Sequence, residues 1–212
     1  MICISLVHKS FSECLKIVRE ELMAEIRMDL VDLDLRQVKQ LFSSSARLIA
    51  AFRTGTAPDS KRFEYLAKAI RAGAAWVDMD LLTDESFRQE LILLANEKQC
   101  QVIVSYHNFS HTPPYIDLVE IARQCMIKGG TIAKIACQVN SRKDVINLLA
   151  LYDLDMKLIS IGMGPMGRIT RIAAPFLGAE FTYASYEEGS EAAPGQISRK
   201  DMQQIFKLLD KT

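Results

Sequence analysis

No two of the five cysteines, Cys3, Cys14, Cys100, Cys125 and Cys137, form a C-x-x-C pair, and no histidine stands at ligand spacing to them. A structural zinc site and a dithiol redox motif therefore have no signature here, and no metal is expected. Odd in number and scattered through apolar segments, the five read as reduced thiols. No apolar run approaches the roughly 18 residues that a membrane span needs. The opening MICISLVHKS has neither a basic lead nor a small-residue cleavage site. No membrane partner and a cytoplasmic location are expected. Net charge is missing too, with 26 basic side chains against 26 acidic ones, so the chain lacks the footprint of a nucleic-acid binder. Low-complexity linkers and internal repeats are also absent, which leaves neither a solenoid nor a boundary between domains. What remains is 212 residues, 49% apolar and 25% charged, the profile of a soluble chain with one well-filled core.

Short apolar, β-branched runs alternate with segments of helical period along the whole length. ICISLV (2–7) precedes SFSECLKIVREEL, where Ser10 and Glu13 have the spacing of a capping box. LMAEIRMDL (22–30) precedes a helix from about Asp34. LIAAFR (48–53) precedes SKRFEYLAKAIRAG, closed by Gly73 at a C-cap position. AAWVDMDL (74–81), QVIVSYH (101–107), TIAKIACQV (131–139), KLISIGM (157–163) and EFTYAS (180–185) each precede a further helical segment, the last being SRKDMQQIFKLLDKT. Eight strand and helix pairs with one helix per crossover predict parallel strands. Within about 212 residues they match a compact (βα)8 TIM barrel forming a single domain over 1–212, with an open doubly wound sheet as the rival.

Chemistry in such a barrel belongs at the carboxyl ends of the strands. Polar residues that interrupt the apolar runs there are Glu25, Arg27, Asp29, Arg53, Asp78, Asp80, Ser105, His107 and Lys134. Lys134 lies in TIAKIAC among apolar neighbours. A strand buries its stem, and a desolvated amine is a nucleophile for a ketone; the alternative is a core ion pair with Glu25 or Asp78. His107 ends its strand, where an imidazole can act as a general base or can simply line the barrel mouth. Glu25, Arg27 and Asp29 share one face by alternation, a ladder that binds a polyhydroxylated anion or neutralises itself. Arg53 and Arg171 are fork-shaped donors suited to a carboxylate.

ISIGMGPMGRITR (159–171) carries Gly162, Gly164 and Gly167 as G-x-G-x-x-G, the spacing of a dinucleotide turn. Glu187 and Glu188 follow at about the distance of a ribose acid. Yet one strand remains after the motif, where a dinucleotide half needs several. The glycines read better as places where backbone approaches a small substrate.

Together these segments resemble type I 3-dehydroquinate dehydratase, the Schiff-base enzyme of the shikimate pathway, over nearly the whole chain. EIRMD (25–29) resembles the family's E-x-R-x-D strand, FRT (52–54) its F-R-[ST] turn, and VDMDL (77–81) its V-D-[IL]-E-L. SYHNFSHTP (105–113) resembles S-x-H-[DN]-F-x-x-T-P, and AKIA (133–136) the lysine strand. MGPMGRITR (163–171) and AAPGQIS (192–198) resemble the closing M-G-x-x-G-x-x-[ST]-R and S-A-P-G-Q-[IL]-S. The resemblance implies a lyase that dehydrates the small molecule 3-dehydroquinate to 3-dehydroshikimate. Lys134 would form an imine at C3, and His107 would move the proton from C2 to the departing C1 hydroxyl. Glu25 and Arg27 would bind ring hydroxyls and Arg53 and Arg171 the carboxylate end, with Gln196 on the eighth loop and Met163 as an apolar wall. No cofactor is implied.

Two positions depart from the pattern. The family's loop acid that supports the histidine aligns with Ala57, with Asp59 as a possible substitute, and its lid serine is Ala192. The resemblance also allows a homodimer or a fusion to shikimate dehydrogenase. Alternatives are a class I aldolase, or a weakened barrel domain in which Ser190 to Pro194 form a binding lid without turnover.

Overall fold

The computed structural model describes residues 1–44 and 47–209; the last three residues of the expected eighth helix lie outside them. In chain order the elements are β1 (Ile2–Leu6), α1 (Phe11–Glu20), β2 (Met23–Arg27), α2 (Leu35–Phe42), β3 (Arg47–Ala51) and α3 (Asp59–Ala72). There follow β4 (Trp76–Asp80), α4 (Glu85–Glu97), β5 (Gln101–Asn108), α5 (Tyr115–Ile127), β6 (Ile132–Gln138) and α6 (Arg142–Ala150). β7 (Leu158–Met163), α7 (Arg168–Ala173), β8 (Thr182–Ser185) and α8 (Arg199–Leu209) complete the chain.

Local chemistry fixes several boundaries. Ser10 accepts from the Glu13 N–H while the Glu13 carboxylate accepts from the Ser10 N–H, the reciprocal cap that the spacing predicts. Asp34 with Gln37 and Ser141 with Asp144 do the same for α2 and α6. Gly73 ends α3 at φ 111°, in the left-handed region that a side chain disfavours. The segment PMGRITRIAAPFLGA, expected as one helix, is instead a short α7 between two 3-10 turns, Pro165–Gly167 and Ala174–Leu177. Pro175 has no N–H to donate and crowds the preceding turn, so α7 stops ahead of it.

The strands run parallel in the order β7-β6-β5-β4-β3-β2-β1-β8 and bend into a nearly closed (βα)8 TIM barrel of one domain. Where β7 and β8 approach, the Glu180 N–H points to the Leu158 carbonyl at 3.5 Å. Strand alternation sorts side chains into two cores. Outward residues such as Ile4, Leu6, Ala24, Ile26, Val102 and Val104 pack beneath the helices. Inward residues Cys3, Met23, Ile49, Trp76, Ile103, Ile132, Ile159 and Phe181 plug the amino end of the barrel. Trp76 and Phe181 meet edge-on there at 5.7 Å. Each fully buried isoleucine of this plug contributes about 1.5–3 kcal/mol. At the next inward position the residues turn polar on β1, β2, β4, β5, β6 and β8 (Ser5, Glu25, Asp78, Ser105, Lys134 and Tyr183), and the site begins.

Candidate active site

Above the plug, Ser5 (β1), Glu25 (β2), Asp78 (β4), Ser105 (β5) and Lys134 (β6) form a buried polar layer. Lys134 Nζ, only 4% of whose residue is exposed, donates to Asp78 Oδ2 at 2.7 Å and to Glu25 Oε1 at 3.1 Å. The other carboxylate oxygens are filled as well, by Ser105 Oγ on Asp78 at 2.6 Å and by Ser5 Oγ on Glu25 at 3.2 Å. Burial acts to raise the pKa of Asp78, but the Lys134 charge, with Arg53 and His107, outweighs it and holds the carboxyl well below the usual range. Glu25 is lowered in the same contest, burial against Lys134. The ion-pair alternative for Lys134 is thus realised with both carboxylates at once. Nζ also sits 4.4 Å from the centre of the Tyr183 ring.

His107 lies one alternation further along β5 than Ser105. Arg53 Nη2 is 2.8 Å from its Nε2 and Nη1 is 3.1 Å from Nδ1 and 3.3 Å from Ser105 Oγ. Asp80 Oδ2 lies 3.8 Å from Nδ1, and the Phe109 ring stacks at 6.2 Å. Burial, then the Arg53 charge, pushes the imidazole pKa down to about 4, with Asp80 acting against them.

The opposite wall differs. Arg171, on α7, is 1% exposed, and its Nε has no hydrogen-bond partner. Neither a carboxylate nor any other acceptor bonds its guanidinium among the described residues, and burial lowers its pKa to about 10. Tyr183 Oη and Ser185 Oγ, inward-facing on β8, are likewise without partners. All three are buried polar groups, a kind that native chains rarely leave unsatisfied.

A cavity of about 250 Å3 joins these walls, lined by Glu25, Arg27, Arg53, Asp80, His107, Lys134, Met163, Arg171, Tyr183 and Gln196 among others. The eight site residues expected from the sequence all line it. Their contacts are not all the expected ones. Arg53 covers His107 and Ser105. Gln196 is engaged at both ends of its amide, accepting from the Ala192 N–H at 2.6 Å and donating to Ser5 Oγ at 3.2 Å. Arg27 makes a two-pronged pair with Asp29 at 2.9 and 2.7 Å, so the ladder neutralises its upper rungs. Asp29 does not continue the alternation, because the Leu30 and Val31 N–H groups close a turn onto the Arg27 carbonyl. Asp59 is no substitute for the loop acid: it pairs with Arg62 at the start of α3, and Ala57 sits over a separate surface hollow with Met28 and Lys61.

Ser5, Tyr183 and Ser185 escaped the sequence reading. Their signal is weak but present: Ser5 follows the inward Cys3 by two positions, and Tyr183 and Ser185 follow the inward Phe181 by two and four.

The glycine motif serves the chain's own packing. A Cβ on Gly162 would lie 2.8 Å from the Gly167 Cα, and one on Gly167 would lie 2.4 Å from the Gly162 carbonyl carbon. These two glycines let the turn after β7 fold onto itself. Gly195 then seats the eighth loop on that turn: a Cβ there would meet the Gly164 carbonyl oxygen at 2.3 Å, and the Gly164 N–H donates to the Pro194 carbonyl at 3.0 Å. The expectation that the glycines admit a substrate is replaced by backbone meeting backbone, which holds Ala192, Ala193 and Gln196 over the cavity.

No helix among the described residues is long and apolar enough to cross a membrane. The sequence profile of the type I 3-dehydroquinase family matches residues 2–212. A 3-dehydroquinate dehydratase of Methanococcus vannielii is 33% identical over 223 aligned residues, covering 99% of this chain and 100% of that protein. The crystal structure of the 3-dehydroquinate dehydratase of Aquifex aeolicus superposes with a TM-score of 0.83 at 30% identity, covering 98% of each chain. An S. pombe AroM structure comprising dehydroquinate dehydratase and shikimate dehydrogenase shares the fold, with a TM-score of 0.77 at 21% identity; the match covers all of this chain and 45% of that one. The chain belongs to the type I 3-dehydroquinase family, the hydro-lyases that dehydrate 3-dehydroquinate.

Proposed function

We propose that this barrel dehydrates 3-dehydroquinate through an imine on Lys134, with His107 as general base and acid. The observation that carries this reading is the joint placement, in one cavity, of a buried amine, an imidazole and a buried arginine with no counter-charge. His107 takes one proton from the Lys134 ammonium, and the amine attacks the C3 ketone to give a carbinolamine; returning that proton to the carbinolamine hydroxyl expels water and leaves the protonated imine. That species keeps one positive charge on the same nitrogen, so Glu25 and Asp78 still balance it, while its single N–H bonds one of the two carboxylates. The iminium accepts the electron pair released when His107 takes the C2 proton. The resulting enamine expels the C1 hydroxyl as water as His107 returns the proton, and hydrolysis frees Lys134 and 3-dehydroshikimate.

Arg171 supplies the positive charge for the substrate carboxylate, and Tyr183 offers a hydroxyl in the same cavity. Met163, buried at the end of β7, gives an apolar surface for the ring. Arg53 completes the carboxylate side once it leaves the imidazole, while Glu25, Arg27 and Gln196 face the ring hydroxyls. Borohydride reduction in the presence of 3-dehydroquinate tests the scheme directly. The expected result is a covalent adduct mapped to Lys134, together with an ultraviolet-absorbing enone formed without added nucleotide. Turnover without an adduct removes the imine from the scheme.

A further inference from the structure

We propose that Asp80, at the carboxyl end of β4, is the positioning residue that orients His107 for proton transfer in this chain, in place of an acid on the loop after β3. The proposal rests on the reading of His107 as the general base. That loop supplies no acid to the imidazole: Ala57 has no carboxylate, and Asp59 is committed to Arg62. Asp80 reaches the ring from the neighbouring strand instead. Its Oδ2 lies 3.8 Å from Nδ1, and its Oδ1 is anchored by the Leu82 N–H at 2.9 Å, which fixes the direction of the carboxylate.

Hydrogen-bond polarity then assigns the ring. A guanidinium only donates, and a carboxylate only accepts. Arg53 Nη2, at 2.8 Å, makes Nε2 the bare nitrogen. Nη1 stands 3.1 Å from Nδ1 and 3.3 Å from Ser105 Oγ; a neutral ring whose Nε2 is bare carries its hydrogen on Nδ1, so Nη1 is assigned to Ser105 Oγ and the Nδ1–H is left for Asp80. The pairs Arg53 to Nε2 and Nδ1–H to Asp80 are mutually consistent, and they keep the shorter of the two Arg53 contacts with the ring, 2.8 Å against 3.1 Å. The 3.8 Å separation closes to a hydrogen bond with a shift of about 1 Å, the kind of tightening expected when an empty site takes up substrate. When the substrate's oxygen atoms draw Arg53 off the ring, Nε2 is left bare and facing the cavity, with a carboxylate behind it. An imidazole held this way cannot present the wrong nitrogen to the C2 proton.

The charged groups facing His107 are Arg53 from the loop after β3, Asp78 and Asp80 from β4, and Lys134 from β6. The Asp80 contact raises the affinity of the ring for a proton, and Arg53 and Lys134 lower it. Neutralising Asp80 must therefore move the acid limb of the kcat profile to lower pH.

Three measurements test the proposal. In Asp80→Asn, kcat at neutral pH falls roughly ten- to a hundredfold, part of what a general base supplies, the acid limb moves down in pH, and the borohydride adduct on Lys134 still forms. Asp80→Glu recovers a substantial share of kcat. In the unliganded chain, nitrogen NMR of the His107 ring shows the Nδ1–H form in the unaltered protein and a mixture of tautomers in Asp80→Ala. An unchanged tautomer in Asp80→Ala overturns the proposal, as does a kcat in Asp80→Asn within about twofold of the original. Failure of the reading beneath it looks different: the unaltered protein then gives no turnover or no adduct, while the NMR experiment, which needs no substrate, still decides what Asp80 does.

Discussion

The two walls of the cavity treat charge in opposite ways. On the β2, β4 and β6 side, one cation meets two carboxylates, and each of the four carboxylate oxygens has a donor. On the β8 and α7 side, one guanidinium meets none, and the Tyr183 hydroxyl in the same cavity is unpaired. Both regions are buried, so the contrast is not one of solvent access. A fully satisfied network is costly to disturb and fixes a side chain in place, which suits a nucleophile that must be found at one point. An unsatisfied buried cation is costly to keep and is relieved by an anion of the right shape. The first region serves the protein's own stability; the second, on the function proposed above, is where the substrate adds the missing charge.

The comparison breaks most visibly at Lys134. Lys134→Met leaves Glu25 and Asp78 side by side in the barrel with no cation between them, and removing one partner of a buried pair costs about 3–5 kcal/mol. We expect the unfolding free energy from chemical denaturation to fall by that amount, with turnover and the borohydride adduct abolished. A Lys134→Met chain as stable as the original would mean that the network does not hold the charges ascribed to it.

Acid separates the regions by their order of failure. The His107 pKa is about 4 in the folded chain and about 6.5 in an unfolded one. Between those values the unfolded chain binds a proton that the folded chain does not. Stability that is complete above pH of about 6.5 is therefore lost as pH falls toward about 4, by about 3 kcal/mol. Asp78 and Glu25 are held below their ordinary values, so their contribution persists through this window and goes only at lower pH. Denaturation midpoints measured across pH 7 to 4 show the loss, and His107→Gln flattens it. A curve that is already flat in the unaltered protein contradicts the burial of a neutral imidazole.

Much of this contrast is legible in the sequence. Period 2 in EIRMD, VDMDL, SYH and AKIA places Glu25, Asp78, His107 and Lys134 inside the barrel, because a strand must alternate and the flanking apolar residues must face the helices. The paired wall can be found this way since its members are charged residues in apolar strands, the least expected kind. The unpaired wall is harder to see. Tyr183 and Ser185 are ordinary residues for a strand, and Arg171 sits on a helix whose shortness depends on Pro175. Contacts that arise where segments distant in the chain converge leave no periodic trace: Asp80 behind His107, Gln196 on Ser5, and Gly195 on Gly164. The recurrence of G-x-G-x-x-G misleads for the same reason, since spacing does not say what the glycines approach.

Ligand binding sharpens the comparison from the other side. The product 3-dehydroshikimate, a carboxylate, at about 100 times its Kd adds about 2.7 kcal/mol of stability by mass action. Calorimetry should show the corresponding rise in Tm for the unaltered chain. At the same concentration Arg171→Leu, with affinity weakened roughly 10- to 150-fold, should show about half of that gain or less. An equal rise in both would place the anion elsewhere in the cavity.

The smallest expected change is the most pointed. Arg171→Leu without ligand removes a cation that has no counter-charge, so it removes a desolvation cost along with the side chain's packing. These oppose each other, and stability should stay within about 1 kcal/mol of the original, against the loss of several expected at Lys134. The same substitution should raise KM by roughly 10- to 150-fold, the value of one or more charge-assisted bonds worth about 1.5–3 kcal/mol, with the Lys134 adduct still formed at high substrate. Two buried cations in one cavity would then answer oppositely to the same kind of replacement, one in stability and one in affinity. If Arg171→Leu instead destabilises as much as Lys134→Met, the guanidinium has a structural partner, and the substrate is not what completes that wall.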